Sequence, residues 1–419
     1  MSSVAKGGAR VAPISRQGPG SRLRVVLYSH DTMGLGHKRR NLLIAQALSG
    51  AGLDADILLI SGMGDASVMP APVGIDMLTL PALYKAADGQ YEARRLNLAL
   101  EEIVELRSQL MLAAVKNFRP DVLIVDNVPR GAVRELDPTL EYIHRYLPTR
   151  CVLGLRDVLD TPATVRRDWK RAENIAAIRR YYDAVWSYGD PAIYDPRREY
   201  RWPADITAKV RPLGYLDPRA RLNQVSAAAC AQIQRLGLPL DRDLVLCQVG
   251  GGQDGTALAE AFARATFPAG SLGVLLMGPF MPAEAQQRLR TLAQVNPRLS
   301  LVDYLAEPTL LLERASRVVA MGGYNTTCEL LAYQKPALIV PRISPRQEQW
   351  IRADRLHRLG LVDLLHPAQL SPQALTDWLH RPLPSDRTGF EVNLRGLDNL
   401  VAEVQRLLVA ATLPTSQAS

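Results

Sequence analysis

Residues 244–256, LVLCQVGGGQDGT, decide the fold class of this 419-residue chain. The mostly apolar run Leu244–Val249 predicts a strand that is buried on both faces. Three glycines follow, and the pattern then predicts a helix from about Asp254. A buried strand that passes through a glycine turn into a helix is typical of a parallel sheet that helices cover on both faces.

The alternation of buried strands and helices extends along most of the chain. Before this segment, the predicted strands are Leu23–Ser29, Asp56–Ser61, Ile75–Leu80, Asp121–Asp126, Arg150–Leu155 and Ala184–Tyr188. After it, they are Leu272–Met277, Leu299–Val302, Arg317–Met321 and Ala337–Val340. The predicted helices include His37–Leu48, Tyr91–Asn117, segments that begin near Gln347 and Pro372, and Gly389–Val409. This order predicts an α/β protein with two Rossmann-like, doubly wound parallel-sheet domains that face a cleft.

A proline-rich segment separates the two series of strands. Five prolines lie from Asp190 to Pro218, where the alternation lapses. Proline stiffens the chain and removes a backbone donor, so this segment predicts a crossing between domains. The predicted organisation is a disordered basic tail over residues 1–22, an N-terminal domain over 23–189, a linker over 190–218 and a C-terminal domain over 219–419.

The composition is ordinary for a folded soluble protein, with 47% hydrophobic and 22% charged residues. No apolar run reaches the roughly 18 residues that would span a bilayer, and the first twenty residues lack the apolar core of a secretory signal. The four cysteines are widely spaced, which predicts free thiols in a reducing compartment. The predicted location is therefore the cytoplasm.

The formal net charge of +8 is concentrated in basic clusters. One is the N-terminal tail, and another contains Arg166, Arg167, Lys170 and Arg171. Such surfaces can make peripheral contact with an anionic membrane at its inner face. A solvated face and a disordered tail are the preferred interpretation. Nucleic-acid binding is not expected, because no binding module or interleaved aromatic residues accompany the charge.

The first predicted strand exits into a loop that contains Gly34, Gly36 and His37. Glycines let the chain turn sharply and leave helix-terminal N–H groups open to a ligand. Imidazoles titrate near neutral pH, so His37 could accept a proton from a hydroxyl. The alternative is a simple turn with a surface or capping histidine.

Gly250, Gly251, Gly252 and Gln253 form the corresponding loop after the strand at 244–249. Here a diphosphate could approach the backbone and the positive end of the helix. The spacing is not that of a P-loop and no lysine follows, which disfavours a P-loop NTPase. The alternative is a tight turn without a ligand.

Gly322 and Gly323 follow a later strand and lead through Asn325 into a helix predicted to start near Thr326. Glu329 is then expected in its first turn. It could form a capping box with Thr326, or it could bind both ribose hydroxyls of a nucleotide.

Gln347 and Glu348 lie in a polar segment after the next strand. Their amide and carboxylate groups could hydrogen-bond sugar hydroxyls, or they could be ordinary loop polarity.

Taken in order, these loops resemble the MurG-like glycosyltransferases of family 28, which have the GT-B fold. The resemblance is strongest from Leu299 to Gly360, where residues 302–350 read VDYLAEPTLLLERASRVVAMGGYNTTCELLAYQKPALIVPRISPRQEQW. The glycine loop at 250–252 and the motif Gly34-x-Gly36-His37 fall at the expected places. More closely, the chain looks like a bacterial set of predicted glycosyltransferases.

The resemblance implies roles for single residues. Glu329 matches the family's ribose-binding glutamate, and Leu305 matches the position whose backbone meets a uracil-like base. Gln347 matches a glutamine that contacts the donor sugar. Glu348 stands where the family often has a second glutamine, which puts the identity of the sugar in doubt. His37 matches a histidine proposed as a base or phosphate-proximal group.

Two carboxylates of the N-terminal domain are further catalytic candidates. Asp126 could orient His37, as an aspartate does in some plant relatives of the fold. Asp157 lies at the carboxyl end of another strand. Either could instead cap a turn, which is the commoner fate of aspartate at such positions.

The resemblance implies an N-terminal acceptor-side domain and a C-terminal donor-binding domain. The expected reaction moves a hexosyl-type sugar from a nucleotide-sugar donor, a UDP-sugar, to a lipid-linked or small-molecule acceptor with inversion. Neither a metal nor a cofactor is expected, because Asp54-Ala55-Asp56 and Asp241-Arg242-Asp243 precede their strands, at the wrong end of the sheet. The alternatives are a sugar-nucleotide epimerase of similar fold and a non-catalytic nucleotide-sugar-binding protein.

Overall fold

The computed structural model describes residues 22–30, 36–62, 74–85, 90–224, 227–239, 241–305, 307–382 and 389–412. The predicted tail, apart from Arg22, and the predicted acceptor-side residue Gly34 lie outside the described residues.

The N-terminal lobe is built on a parallel sheet. Its strands are β1 (Leu23–Ser29), β2 (Ala55–Ser61), β3 (Ile75–Thr79), β4 (Leu83–Lys85), β5 (Tyr91–Ala93), β6 (Val122–Asp126), β7 (Arg150–Arg156), β8 (Ala184–Tyr188) and β9 (Val210–Pro212). Its helices are α1 (Gly36–Gly50), α2 (Leu100–Phe118), α3 (Asp137–Tyr146), α4 (Pro162–Arg171), α5 (Asn174–Tyr181), α6 (Pro196–Glu199) and α7 (Ala204–Thr207). Seven strands pair in parallel in the order β3-β2-β1-β6-β7-β8-β9, and β4 and β5 form an antiparallel hairpin.

The C-terminal lobe repeats this plan with six parallel strands. They are β10 (Asp243–Gln248), β11 (Ser271–Leu276), β12 (Leu299–Val302), β13 (Ala315–Ala320), β14 (Ala337–Ile339) and β15 (Asp363–Leu364), in the order β12-β11-β10-β13-β14-β15. The helices are α8 (Ala227–Arg235), α9 (Thr256–Arg264), α10 (Ala283–Val295), α11 (Thr309–Arg314), α12 (Tyr324–Tyr333), α13 (Glu348–Arg358), α14 (Pro372–Leu379) and α15 (Gly396–Thr412).

The predicted fold class, two doubly wound parallel-sheet α/β domains, is confirmed. The central strands are continuously apolar because helices cover them on both faces, and β6 and β8 are buried along their whole length. In each sheet the strand order reverses next to the first strand, between β1 and β6 and between β10 and β13. Ligands of such sheets bind at this switch point, beyond the carboxyl ends of the strands.

Two helix predictions differ from the structure. The predicted helix at Tyr91–Asn117 begins only at Leu100, because Tyr91–Ala93 pairs with Leu83–Lys85 in the hairpin. The predicted terminal helix at Gly389–Val409 begins at Gly396. Both differences arise from pairing with segments elsewhere, which helical periodicity does not encode.

Most of the predicted linker, residues 190–218, is part of the N-terminal lobe. It forms α6, α7 and β9, and Tyr200, Ile206 and Val210 are buried in that lobe's core. The prolines fit because Pro196 is the first residue of α6 and Pro212 ends a strand at the sheet edge. The chain enters the C-terminal lobe only after β9.

The chain also returns to the N-terminal lobe at its end. The N–H of Tyr215 donates to the carbonyl of Asn393, and Asn399 donates to the carbonyl of Leu213. The last helix, α15, packs against α1.

Within the described residues, all four cysteines are free thiols and no helix is long and apolar enough to cross a membrane.

A buried ion pair joins the two lobes. Both side chains, Asp157 after β7 and Arg352 in α13, are 1% exposed, and Arg352 Nη2 lies 2.6 Å from Asp157 Oδ1. Arg352 also donates to the carbonyl of Gly322, and the hydroxyl of Tyr215 donates to Asp157. Around this pair, Arg346 contacts Asp160 and Asp168 of the N-terminal lobe, and Arg355 contacts Glu199.

We expect Arg352→Met to lower the free energy of unfolding by about 3–5 kcal/mol, because it leaves the Asp157 carboxylate buried without its cation. Urea denaturation followed by circular dichroism measures the change. Arg358→Ala, in the exposed pair with Asp354 on the same helix, is the matched control and should cost less than about 1 kcal/mol.

The double variant Asp157→Asn/Arg352→Met removes both charges and should recover part of the lost stability. Equal losses in the Arg352 and Arg358 single variants would contradict this account of how the lobes are joined.

Candidate functional site

A cavity of about 260 Å³ lies between the two lobes at the switch points of both sheets. The N-terminal lobe contributes the first turn of α1 and Arg156 at the end of β7. The C-terminal lobe contributes the glycine loop after β10, the segment after β11 and the first turn of α12. The lobes touch at its rim, where Asn325 Nδ2 donates to the carbonyl of Gly36 at 3.0 Å.

The cavity brings together most of the predicted site residues. Those that line it are Gly36, His37, Gly250, Gly251, Leu305, Gly323, Asn325, Thr326 and Glu329. Gly252 and Gln253 line an adjoining cavity of about 250 Å³, which shares the glycine loop with the first.

His37 is held on the N-terminal wall by a buried carboxylate. Its Nδ1 lies 2.5 Å from Asp126 Oδ2, at the carboxyl end of β6. Arg40, one turn further along α1, donates to both oxygens of Asp126. Burial alone would raise the pKa of the Asp126 carboxyl, but Arg40 and His37 outweigh it and hold that pKa well below its usual range. Asp126 is therefore an anion, and Nε2 is the nitrogen of His37 left to exchange a proton in the cavity.

His30 lies behind His37, with the ring centroids 4.8 Å apart. Burial, and then the neighbouring His37, lowers the pKa of His30 to about 3. His30 is thus neutral at physiological pH.

The glycine loop forms part of the opposite wall. Gly250 has a φ of +64°, which is strained for any residue with a side chain. At Gly252 a Cβ atom would lie 2.4 Å from the carbonyl oxygen of Met277. The loop therefore requires glycine, and it exposes backbone to the cavity just before α9.

The start of α12 completes this wall. The helix begins at Tyr324, so the N–H groups of its first turn, which have no partners within the helix, lie at the cavity with Asn325 and Thr326. The helix N-terminus also carries partial positive charge. Glycine loop and helix terminus together make a wall suited to an anion.

Glu329 lies on the cavity in the second turn of α12, not in the first. The predicted capping box with Thr326 is therefore wrong, because Gly323 is the N-cap and Thr326 is already the third helical residue. Glu329 Oε1 accepts a hydrogen bond from Arg221 at 3.0 Å. Burial raises the pKa of the Glu329 carboxyl, although Arg221 opposes this effect.

Four cavity residues absent from the sequence predictions carry buried polar atoms. These atoms, which have no hydrogen-bond partner among the described residues, are Arg156 Nε, Gln248 Nε2 and the hydroxyls of Tyr304 and Tyr324. Arg156 is the last residue of β7, and this position at the carboxyl end of a strand could have indicated from the sequence that it faces the site. Arg39 also lines the cavity and was not predicted, and it donates to the carbonyl of Leu305 at 3.2 Å.

Five predicted residues do not line the described cavities: Asp126, which contacts His37, and four others. Asp157 was a candidate base, but both its oxygens are bound by Arg352, so the structure does not support a role in proton transfer. Gly322 lies behind the wall, where its carbonyl accepts from Arg352. Gln347 donates its N–H to Asp160, and Glu348 Oε1 accepts from Arg342.

Two parallel-sheet lobes with a polar cavity between their switch points define the GT-B class of proteins. Residues 249–391 match the family described as glycosyltransferase family 28 C-terminal domain. The C-terminal lobe therefore resembles the C-terminal domain of this glycosyltransferase family, and the enzyme class that the match supports is glycosyltransferase.

Solved structures of low sequence identity share the fold. A UDP-glucosyltransferase from Polygonum tinctorium is 14% identical, with 96% of each chain covered and a TM-score of 0.57. A UDP-GlcNAc 2-epimerase from Neisseria meningitidis, bound to UDP-GlcNAc, is 12% identical, covering 93% of this chain and 100% of that one, with a TM-score of 0.56. The glycosyltransferase SnogD from Streptomyces nogalater is 16% identical, covering 93% and 95%, with a TM-score of 0.51. No curated protein matches the chain in sequence.

We expect the buried, neutral His30 to make stability pH-dependent. The pKa of His30 in the folded state lies below the ordinary value of about 6.5. As the pH falls below 6.5, the unfolded state therefore binds a proton that the folded state does not, and the folded state loses stability. Between pH 7 and pH 5 the wild type should lose about 2 kcal/mol more stability than His30→Gln.

Urea denaturation at each pH measures this difference. His380→Gln, at the exposed end of α14, is the control for loss of a surface imidazole. Parallel pH profiles for wild type and His30→Gln would contradict the assignment of a neutral His30.

Proposed function

We propose that the protein transfers a hexosyl-type sugar from a UDP-sugar to an acceptor hydroxyl, with inversion and without a metal ion. The observation that supports this most is that His37, the glycine loop and Glu329 line one cavity. The acceptor is a small molecule or a lipid-linked molecule that enters from the N-terminal lobe.

The C-terminal wall is suited to the nucleotide diphosphate. The diphosphate would lie against the amides at Gly250 and at the start of α12, where N–H groups and helix dipoles favour an anion. Glu329 would accept hydrogen bonds from both ribose hydroxyls, and its contact with Arg221 keeps the carboxylate in place. The base would lie beside Leu305.

The cavity also supplies positive charge for the leaving group. Arg156 and Arg39 line it, and Arg156 Nε has no protein partner among the described residues. Charge that develops on the departing diphosphate would be stabilised by these fixed cations. They could perform in this site the charge neutralisation that a metal ion performs elsewhere.

His37 is the proposed base. The acceptor oxygen forms a bond to the anomeric carbon while the bond from that carbon to the diphosphate oxygen breaks. The acceptor's proton passes to His37 Nε2, and the bonding electron pair leaves with the nucleotide diphosphate. Asp126 orients the ring through Nδ1 and stabilises the imidazolium that forms. Attack from the face opposite the leaving group inverts the anomeric configuration.

Donor binding is tested by thermal shift with UDP, GDP, dTDP and ADP, since a ligand of the native state raises the melting temperature. We expect UDP to give the largest shift. Glu329→Gln keeps the side-chain volume but removes the charged acceptor, so it should weaken UDP binding at least about tenfold.

Glu313→Gln, on the exposed surface of α11, is the control for this measurement. If Glu329→Gln bound UDP as tightly as the wild type, the ribose assignment would be lost.

Turnover is tested by the release of UDP from UDP-sugars with a panel of small and lipid-linked acceptors. We expect His37→Ala to lower turnover about 100-fold or more, with little change in UDP affinity, because the base acts only on the acceptor. Asp126→Asn should also lower turnover, because it no longer stabilises the imidazolium.

Two outcomes would favour other functions. If NMR detects an altered sugar nucleotide after incubation with the donor alone, the protein is an epimerase. Saturable UDP-sugar binding without UDP release for any acceptor would indicate a binding protein.

A further inference from the structure

A second cavity, of about 400 Å³, lies on the N-terminal lobe and shares no lining residue with the proposed transfer site. It is enclosed by α4, by α5 and by the segment that joins α6 to α7. Its charged and aromatic lining residues include Arg166, Trp169, Lys170, Arg179, Arg201 and Trp202. The lining also contains Glu173, whose carboxylate is paired with Arg130 and Arg134 outside the cavity. The proposed sugar transfer makes no use of this cavity.

Two stacked tryptophans form its apolar wall. The rings of Trp169 and Trp202 lie 4.7 Å apart with an interplanar angle of 12°, and each residue is 8% exposed. Trp202 Nε1 is buried and has no hydrogen-bond partner among the described residues. Buried indole N–H groups usually find an acceptor. Trp202 lines the cavity, so an unsatisfied donor lies beneath the surface of its apolar wall.

The rim of the cavity is positively charged. Arg166, Lys170 and Arg201 are exposed, and no carboxylate of the described residues forms an ion pair with any of them. By contrast, Arg179 on the same rim is paired with Asp205 at 2.6 Å. The uncompensated charge favours an anion at the mouth.

The backbone at the rim is also unusual. Arg201 has a φ of +51°, a conformation that residues with side chains rarely adopt. Such strain persists where the surrounding structure imposes it, and it is frequent at ligand-binding positions. Arg201 directly precedes Trp202, so a positively charged residue and an unpaired indole N–H are adjacent in the chain.

We propose that this cavity binds one anionic amphipathic small molecule of the fatty-acid type, at a site separate from sugar transfer. Its aliphatic body lies against the two indole rings. The negative head is held at the mouth by Arg166, Lys170 and Arg201. The volume falls within the range of small-molecule sites, about 300–1,000 Å³.

The test titrates the full chain with decanoate below its micelle concentration, by calorimetry and by tryptophan fluorescence. Two of the five tryptophans line the cavity, so bound decanoate should change the emission. We expect saturable binding of one decanoate per chain and at least tenfold weaker binding of decylammonium.

Charge reversal locates the site. Arg166→Glu/Lys170→Glu should weaken decanoate binding at least tenfold. Arg171→Glu lies on the same helix but does not line the cavity, so it should leave binding unchanged. Trp202→Leu should weaken decanoate binding, because it removes one of the two stacked rings against which the aliphatic body lies. UDP binding retained by every variant shows that the fold is intact, and it separates this test from that of the proposed function.

Three outcomes would overturn the proposal. The first is the absence of saturable decanoate binding, and the second is an equal loss of affinity in Arg171→Glu and in the double variant. The third is binding to phosphatidylglycerol vesicles without binding of monomeric decanoate, which would make the basic rim a membrane-contact surface.

Discussion

The buried ion pair between Asp157 and Arg352 fixes the arrangement on which the site depends. Asp157 follows β7 of one lobe, and Arg352 lies in α13 of the other. Arg352 also binds the carbonyl of Gly322, just before the first turn of α12. The pair thus sets where the N-terminus of α12 stands relative to Arg156 at the end of β7. Both lobes line the cavity, so its shape depends on how this buried ion pair holds the lobes together.

Much of the fold could be predicted because it depends on local patterns. Strands buried on both faces are continuously apolar, and β1, β8 and β12 begin and end where the sequence indicates. The glycine turns could also be predicted from the sequence, because Gly250 and Gly252 occupy conformations or spaces that other residues tolerate poorly. Parallel sheets place such turns along one edge, and this is why the predicted residues converge on a common cavity.

The remaining features depend on partners far apart in the chain. Asp157 and Arg352 are separated by 195 residues, and no spacing rule indicates that one neutralises the other. Asp157 therefore looked like a free carboxylate at a strand end, while the neighbouring Arg156 faces the cavity. The helix containing Glu329 begins two residues earlier than its polar pattern suggested, which moves that side chain from a capping position to the cavity wall.

The packing of α15 on α1 has a consequence for synthesis of the chain. A ribosome completes α1 early, but the helix that covers one of its faces is made only after the strands of both sheets. The first lobe can assemble its sheet while translation continues, yet that apolar face stays open to solvent until α15 has been synthesised. A nascent chain of this protein would therefore be most prone to aggregation, and most in need of a chaperone, before α15 is complete.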